Sequence, residues 1–408
     1  MNDKKLLTVA EALDLLLTAA RPIVGSEIVP TLDANGRILA LAQDSKIDVP
    51  PADNSDRDGY AVRAADCANG SATLLVTQRI PAGQVGTHLL PGTAARIFTG
   101  ASIPDGADAV VMQEDCVAQG EQVTINYQPV VGEWIRLAGG DIKRDSLILP
   151  AGTRLRPQEL GLAASVGLAE LPVLRKLRVA VFFTGDELTM PGEALKPGAI
   201  YNSNRFLLRG LLQNFGCDIT DYGIVPDTLD ATRVTLVRAA QEHDLIITSG
   251  GVSVGEEDYV KPAVEVEGRL NMWQIAAKPG KPLAFGEIRR KTGNNDAFFI
   301  GLPGNPVSVL IGFALFIRPF LLRLQGVQDI APKAYDMRAD FVLAKGDRRN
   351  EFLRARINSK GGLDLFPNQS AGVLTSAVWG DGLIDNPPGR SIASGDTVRF
   401  LPFSELLH

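Results

Sequence analysis

The chain has 408 residues, and at roughly 150 residues per domain this length implies two to four domains. Its 41 lysines and arginines face 47 acids, a net charge of −6 without basic blocks; that balance excludes nonspecific nucleic-acid binding, which rests on cations neutralising phosphates. Three cysteines far apart in sequence (Cys67, Cys116, Cys217) make no disulfide framework, and three histidines (His88, His243, His408) nearly exclude Cys/His zinc sites, so any metal would be held by carboxylates.

The N-terminus is not a secretory signal, because Asp3, Glu11 and Asp14 interrupt any apolar stretch. Thr8-Val9-Ala10-Glu11 has the form of a capping box opening an amphipathic helix. Residues 54–141 are rich in glycine, valine and threonine, with short alternating runs such as Ala95-Arg96-Ile97-Phe98, and predict a mostly β module. A helix is expected over Pro157–Val166, where proline suits the first turn.

At Leu177 the texture changes. Leu177–Phe183, Asp244–Ser249 and Ala297–Leu302 are apolar runs closed by glycine, and they alternate with helical stretches over Asn204–Asn214, Thr228–Gln241 and from Pro306. This alternation predicts a doubly wound parallel sheet. The uncharged stretch 297–317 contains Pro303-Gly304-Asn305-Pro306, so it reads as strand, turn and buried helix rather than one membrane span. After Gly326 short strands return at Glu351–Ile357 and Thr397–Leu401, a small C-terminal β domain. The chain is expected to be cytoplasmic and away from membranes.

In an open parallel sheet, ligands bind beyond the carboxyl ends of the strands. Four polar segments follow the predicted strands: Thr184-Gly185-Asp186-Glu187, Val225-Pro226-Asp227, Ser249-Gly250-Gly251-Val252-Ser253-Val254-Gly255, and Gly301-Leu302-Pro303-Gly304-Asn305-Pro306. Glycine lets backbone amides approach a ligand, so a phosphate or similar anion is the natural guest. Lys278-Pro279-Gly280-Lys281-Pro282 adds two ammonium groups on a stiff loop, with Glu256, Glu257, Asp258 and Lys261 as further candidates on the turn after Gly255. Upstream, Asp53–Tyr60 packs three carboxylates into six residues, Thr99–Val111 is turn-rich, and Gly139-Gly140-Asp141 closes the β module. Carboxylates around an anion site call for a divalent cation, and magnesium suits all-oxygen ligation. These residues alone leave the phosphorylated molecule unnamed.

The motifs P-x-x-D-N-S-x-x-D-G-Y-A at 50–61, T-G-A-x-x-P-x-G-A-D-A-V-V at 99–111, T-G-D-E-L at 184–188, S-G-G-V-S-V-G-x-x-D at 249–258, K-P-G-K-P at 278–282 and G-L-P-G-N-P-V-S at 301–308 resemble the molybdopterin molybdenumtransferases, bacterial MoeA and the E-domain of gephyrin, over nearly the whole length. The resemblance implies an α/β plus β multidomain fold: an elongated N-terminal linker domain (1–50 and 143–176), a β-rich domain (51–142), an α/β molybdopterin-binding domain (177–326) and a C-terminal β-barrel-like domain (327–408). It implies a homodimer with a cleft shared between subunits, and a magnesium-dependent reaction that inserts molybdenum from molybdate into adenylylated molybdopterin and releases AMP. The adenylyltransferase of the same pathway would be a partner.

Carried onto this chain, the resemblance gives Ser249, Gly250, Gly251, Ser253 and Gly255 to the ligand's phosphate, together with Thr184, Gly185, Pro303, Asn305 and Pro306. Asp186, Glu187, Asp227 and Asp258 would arrange magnesium; Asp58, Thr99 and Asp141 would come from the partner subunit; Lys278, Lys281 and Arg354 would be the cations, and Ser370 a hydroxyl near them. No covalent nucleophile is expected, since the cysteines lie outside every motif. The chain departs from the family pattern at Asp56-Arg57, at Gly140, at Gln274 and at Ala371. Those departures motivate the alternative reading of a catalytically weakened paralogue that binds molybdopterin as a scaffold. A nicotinamide dehydrogenase is excluded by the missing GxGxxG.

Overall fold

The computed structural model describes residues 6–23, 25–252, 258–291 and 295–408. Its centre is a six-stranded sheet built from β1 (Arg178–Thr184), β2 (Asp218–Val225), β3 (Leu245–Ser249), β4 (Gly268–Gln274), β5 (Pro282–Ile288) and β6 (Ala297–Leu302), in the order β2-β1-β3-β6-β5-β4. The four strands β2, β1, β3 and β6 are parallel, whereas β5 runs antiparallel to β6 and β4 antiparallel to β5. The expected all-parallel sheet is therefore corrected to a mixed one. The reason is connection length: the short link between β4 and β5 holds no crossover helix, and only an antiparallel pair can be joined that way.

Strands β1, β3 and β6 are buried on both faces, which explains their continuous apolar text. On one face Val179, Val181, Phe183, Ile247 and Ile300 meet Leu208, Leu211 and Leu212 of α1 (Ser203–Asn214) and the helical run Pro306–Leu324. On the other, Ala180, Phe182, Ile246 and Phe299 meet Leu236, Ala239 and Ala240 of α2 (Leu229–Glu242) and Val260, Ala263 and Val264 of α3 (Val260–Glu267). The alternation of neighbours between two cores is the pleat itself. The run Pro306–Leu324 is apolar and long enough to cross a membrane, yet 83% of it is buried inside the fold, as a core helix would be.

The opening helix Val9–Ala19 has the expected capping box: Glu11 N–H donates to Thr8 Oγ1 at 3.1 Å and Thr8 N–H to Glu11 Oε2 at 2.7 Å. Its placement differs from the expectation that it belongs to the linker domain. Ala12 and Leu16, both fully buried, pack into the core of the α/β unit beside Leu177 and Phe320. The linker proper is made by two distant segments, with Ser26–Pro30 antiparallel to Glu170–Leu174 and Gln43–Asp44 antiparallel to Leu147–Leu149. Leu39, Leu155, Leu171 and Val173 form its core.

The β-rich module is a second six-stranded sheet, from Gly59–Val62 through Gln122–Ile125. In the C-terminal unit, Asn350–Ile357, Gly382–Asn386, Thr397–Pro402 and Tyr335–Arg338 follow one another edge to edge. The circuit closes into a small barrel through Leu363–Leu365, which pairs with Asn350–Ile357 and bridges to Ala339. One further strand joins this barrel from outside: Ala277–Lys278, in parallel register with Asn350–Glu351.

Candidate active site

Chain order reverses direction across the sheet between β1 and β3, because the connection after β1 leads to β2 on one side and the next leads back across to β3. Ligand crevices form at such a switch point. The strand ends coincide there: Thr184 is level with Val225, Phe183 with Ser249, and Ser249 with Leu302. The described starts of all four polar segments picked from sequence therefore share one edge. The edge is laced together by side chains. Asn204, at the start of α1, donates to Ser249 Oγ at 2.9 Å and to the Gly304 carbonyl at 2.7 Å; Ser249 Oγ donates to the Pro303 carbonyl at 3.0 Å. Thr184 Oγ1 donates to Asp227 Oδ1 at 2.7 Å. Gly250 has φ +101°, and a Cβ there would stand 2.5 Å from the Thr184 carbonyl oxygen, so only glycine lets the two strand ends approach this closely. Asn305 occupies the N-cap position of the helix that begins at Pro306, without a side-chain capping bond.

Beside this edge opens a cleft of about 460 Å³, lined by Gly251 and Val252, by the whole Lys278–Pro282 loop, by Pro303, Gly304, Asn305 and Ser308, and by Arg349, Gln369, Ser370 and Ala371 of the barrel. It is cationic. Lys278 Nζ lies 3.0 Å from Glu351 Oε1 and 3.2 Å from Asp347 Oδ2, while Arg349 Nε reaches Asp347 Oδ1 at 3.0 Å. Burial disfavours the charge of Lys278, but its hydrogen bonds to Glu351 and Asp347 outweigh that and hold its pKa above the ordinary lysine value. Among the described residues no acid stands within ion-pair distance of Lys281, whose side chain is exposed.

Arg354 does not reach this cleft, which corrects its assignment as a ligand cation. It is fully buried; its guanidinium donates to Ser376 Oγ at 3.0 Å, to the Ser370 carbonyl at 3.2 Å and to the Phe352 carbonyl at 3.4 Å. Burial without a carboxylate partner pulls its pKa down to about 10. Strand alternation turns its neighbours Leu353 and Ala355 into the barrel core and Arg354 to the opposite face, where the segment carrying Ser370 and Ser376 covers it, which sequence spacing did not disclose.

The acids expected to hold magnesium do not assemble as a ligand set. Among the described residues no three carboxylates, cysteines or histidines converge as a metal site. Asp227 is engaged by Thr184, and the Glu187 carboxylate folds back over its own turn, so close that a Cβ on Gly185 would meet it at 2.5 Å. Asp186 is exposed, and Asp258 stands at the margin of the described residues. Among the described residues of one chain, these acids do not gather into a ligand set for a divalent ion. Ser253, Gly255, Glu256 and Glu257 lie outside the described residues.

Asp58 and Thr99 come together in the β-rich module: Asp58 Oδ1 accepts from Thr99 N–H at 2.8 Å and from its hydroxyl at 2.7 Å. These two bonds, the backbone one foremost, hold the Asp58 carboxyl below its ordinary pKa. Asp141 is exposed on a neighbouring turn, its N–H donating to the Val49 carbonyl at 3.0 Å. None of Asp58, Thr99 and Asp141 lines the cationic cleft of its own chain. The unusual Asp56-Arg57 pair is also built in, with Asp56 ion-paired to Arg136 and the Arg57 guanidinium 4.6 Å over the Trp134 ring. Sequence reading missed Asn204, Asp347, Arg349 and Glu351. Asn204 carried a signal in the polar Asn202-Ser203-Asn204 triplet that opens α1; the barrel residues carried none.

A switch-point α/β unit whose glycine edge opens onto a lysine- and arginine-lined cleft has the form of a site for a small phosphorylated or oxyanionic molecule. Comparison with known proteins places it further. Three family profiles match in succession: the MoeA N-terminal region (domain I and II) over residues 7–167, a probable molybdopterin binding domain over 180–323, and the MoeA C-terminal region (domain IV) over 336–403. A molybdopterin molybdenumtransferase of Haemophilus influenzae is 38% identical, covering 98% of this chain and 100% of the relative. One of Nostoc is 36% identical over 92% and 88%. The crystal structure of a molybdopterin biosynthesis moeA protein from Pyrococcus horikoshii OT3 superposes with a TM-score of 0.85 at 29% identity, covering 98% of this chain and 100% of that one. The chain belongs to the MoeA family.

Proposed function

We propose that this transferase of molybdenum-cofactor biosynthesis takes adenylylated molybdopterin and molybdate, cleaves the diphosphate with release of AMP, and leaves molybdenum on the dithiolene. The observation that carries the reading is the cationic cleft directly beside the glycine edge: an oxyanion and a pterin phosphate would lie next to one another there. The backbone amide of Gly251 and the helix start at Asn305-Pro306 suit the phosphate, and Lys278, Lys281 and Arg349 suit molybdate, a dianion. Fixed positive groups in a partly dry cleft stabilise charge that develops on the bridging oxygen as it leaves. Magnesium enters this reading only as an ion accompanying the diphosphate.

Asp58, Thr99 and Asp141 fit the reading as groups delivered by the second subunit of a homodimer, since they stand apart from the cleft of their own chain. A cytoplasmic setting and hand-over from the pathway's adenylyltransferase complete the proposal. The test is AMP release from adenylylated molybdopterin with molybdate and Mg²⁺. Turnover is the expected result; tight pterin binding with no AMP formed would defeat the enzyme and leave the scaffolding paralogue.

A further inference from the structure

We propose that Glu351, seconded by Asp347, is a positioning residue of the cationic cleft: the C-terminal barrel holds Lys278 in the single orientation in which its ammonium faces an incoming oxyanion. This rests on reading Lys278 as a ligand of that anion. Glu351 is 3% exposed, and a carboxylate so buried is expensive unless it is paired and hydrogen-bonded. Here it meets three donors. Oε1 accepts from Lys278 Nζ at 3.0 Å, and Oε2 accepts from Asp347 N–H at 2.9 Å and from Asn386 Nδ2 at 3.3 Å. Asn386, itself fully buried, is tied in turn to the Arg390 carbonyl at 3.0 Å. The backbone repeats the link, because Lys278 and Glu351 are direct partners in the parallel pairing of Ala277–Lys278 with Asn350–Glu351.

Lysine carries a flexible four-carbon stem, and ordering it on ligand binding loses about 2 kcal/mol of rotamer freedom. Glu351 takes that loss at folding, so binding does not bear it. Were the pair only a fastener between domains, the Lys278 side chain would have no reason to stay 39% exposed along the cleft wall. The charged groups facing Lys278 are Glu351 and Asp347 from the barrel, Arg349 beyond Asp347, and Lys281 on its own loop.

The experiment titrates the full-length protein with molybdate alone by calorimetry, from neutral to strongly alkaline pH, comparing wild type with Glu351→Gln, Asp347→Asn and Lys278→Ala. Glu351→Gln keeps the shape but removes the charge, and its amide NH2 must face one of the donors that the carboxylate accepted from. It should weaken molybdate binding roughly tenfold, the 1.4 kcal/mol equivalent of most of the lysine's ordering entropy. It should also move the alkaline limit of binding to lower pH, because the ammonium loses a partner that held its proton. A bare domain fastener would not shift that limit. Asp347→Asn, on a less buried partner, should shift the limit in the same direction and decides the matter if Glu351→Gln does not fold. Wild-type affinity with an unmoved alkaline limit, or tighter binding from the extra positive charge, overturns the proposal. If Lys278→Ala loses binding while both carboxylate variants keep it, positioning fails and the anion cleft stands. If Lys278→Ala binds like wild type, both fall together.

Discussion

Gly250→Ala is the sharpest probe of how the site is built. Gly250 has φ +101°, and the methyl would sit 2.5 Å from the Thr184 carbonyl oxygen and 3.6 Å from its carbon. A positive φ in a non-glycine residue disfavours the fold by roughly 1–3 kcal/mol. Forcing the backbone of β1 away from β3 adds about 1–3 kcal/mol of overpacking, since the atom met is main chain and cannot rotate aside. Taking about 3 kcal/mol in total, a unit of this size should melt roughly 6–12 °C lower. The site should suffer with it, because Gly250 N–H donates to the Leu302 carbonyl at 3.1 Å and so ties β3 to β6 at the ligand edge. Calorimetry following the α/β transition, with molybdate titration alongside, measures both effects. Gly304→Ala is the matched control: it lines the same cleft, its φ is not positive, and a Cβ there meets nothing within 4 Å. It should change stability by less than about 1 kcal/mol. Gly250→Ala melting with wild type, or Gly304→Ala falling as far, would refute the close-approach argument.

Three other outcomes are expected. Asp58→Ala should lower AMP release about 100-fold or more while the melting curve stays in place, because Asp58 and Thr99 sit on an exposed edge; normal turnover would remove the pair from the chemistry. Asp244 accepts two bonds from Arg175, at 2.7 and 2.8 Å, and one from the Arg178 N–H at 2.9 Å; burial opposes its charge, but these partners hold its pKa below the ordinary value. Its contribution is thus complete above the unfolded carboxylate pKa and is lost as pH falls through the depressed folded one. Asp244→Asn should therefore destabilise by roughly 2–3 kcal/mol near neutrality, and by progressively less in acid; a loss that does not shrink on acidification contradicts the pairing. Finally, burial pushes the Cys116 and Cys217 thiols up to about 12 and raises Cys67, so iodoacetamide at pH 7.5 should leave activity intact, and rapid inactivation would reopen the question of a cysteine nucleophile.

Strand and helix placement in the α/β unit was legible because its signals are local. A capping box, apolar runs closed by glycine and proline at a first helical turn each depend on residues a few positions apart. The same locality exposed the four loops of the ligand edge, since strand ends followed by glycine point to one side once the strands are parallel. Residues joined only by long-range folding were another matter. The opening helix was readable as a helix, but nothing in its own text says that Ala12 and Leu16 pack under Phe320.

What the sequence determined by itself, then, is the set of elements, the motifs at the strand ends and, through those motifs, the family. Only the tertiary structure decided that β4 and β5 return antiparallel, that Arg354 is buried under the segment carrying Ser370 and Ser376, and that Glu351 meets Lys278 across 73 residues of chain. The physical reason is the same in each case. Local pattern fixes backbone conformation and which face is apolar, whereas charge pairing and burial depend on which surfaces the domains bring together, and that information is spread over the whole chain.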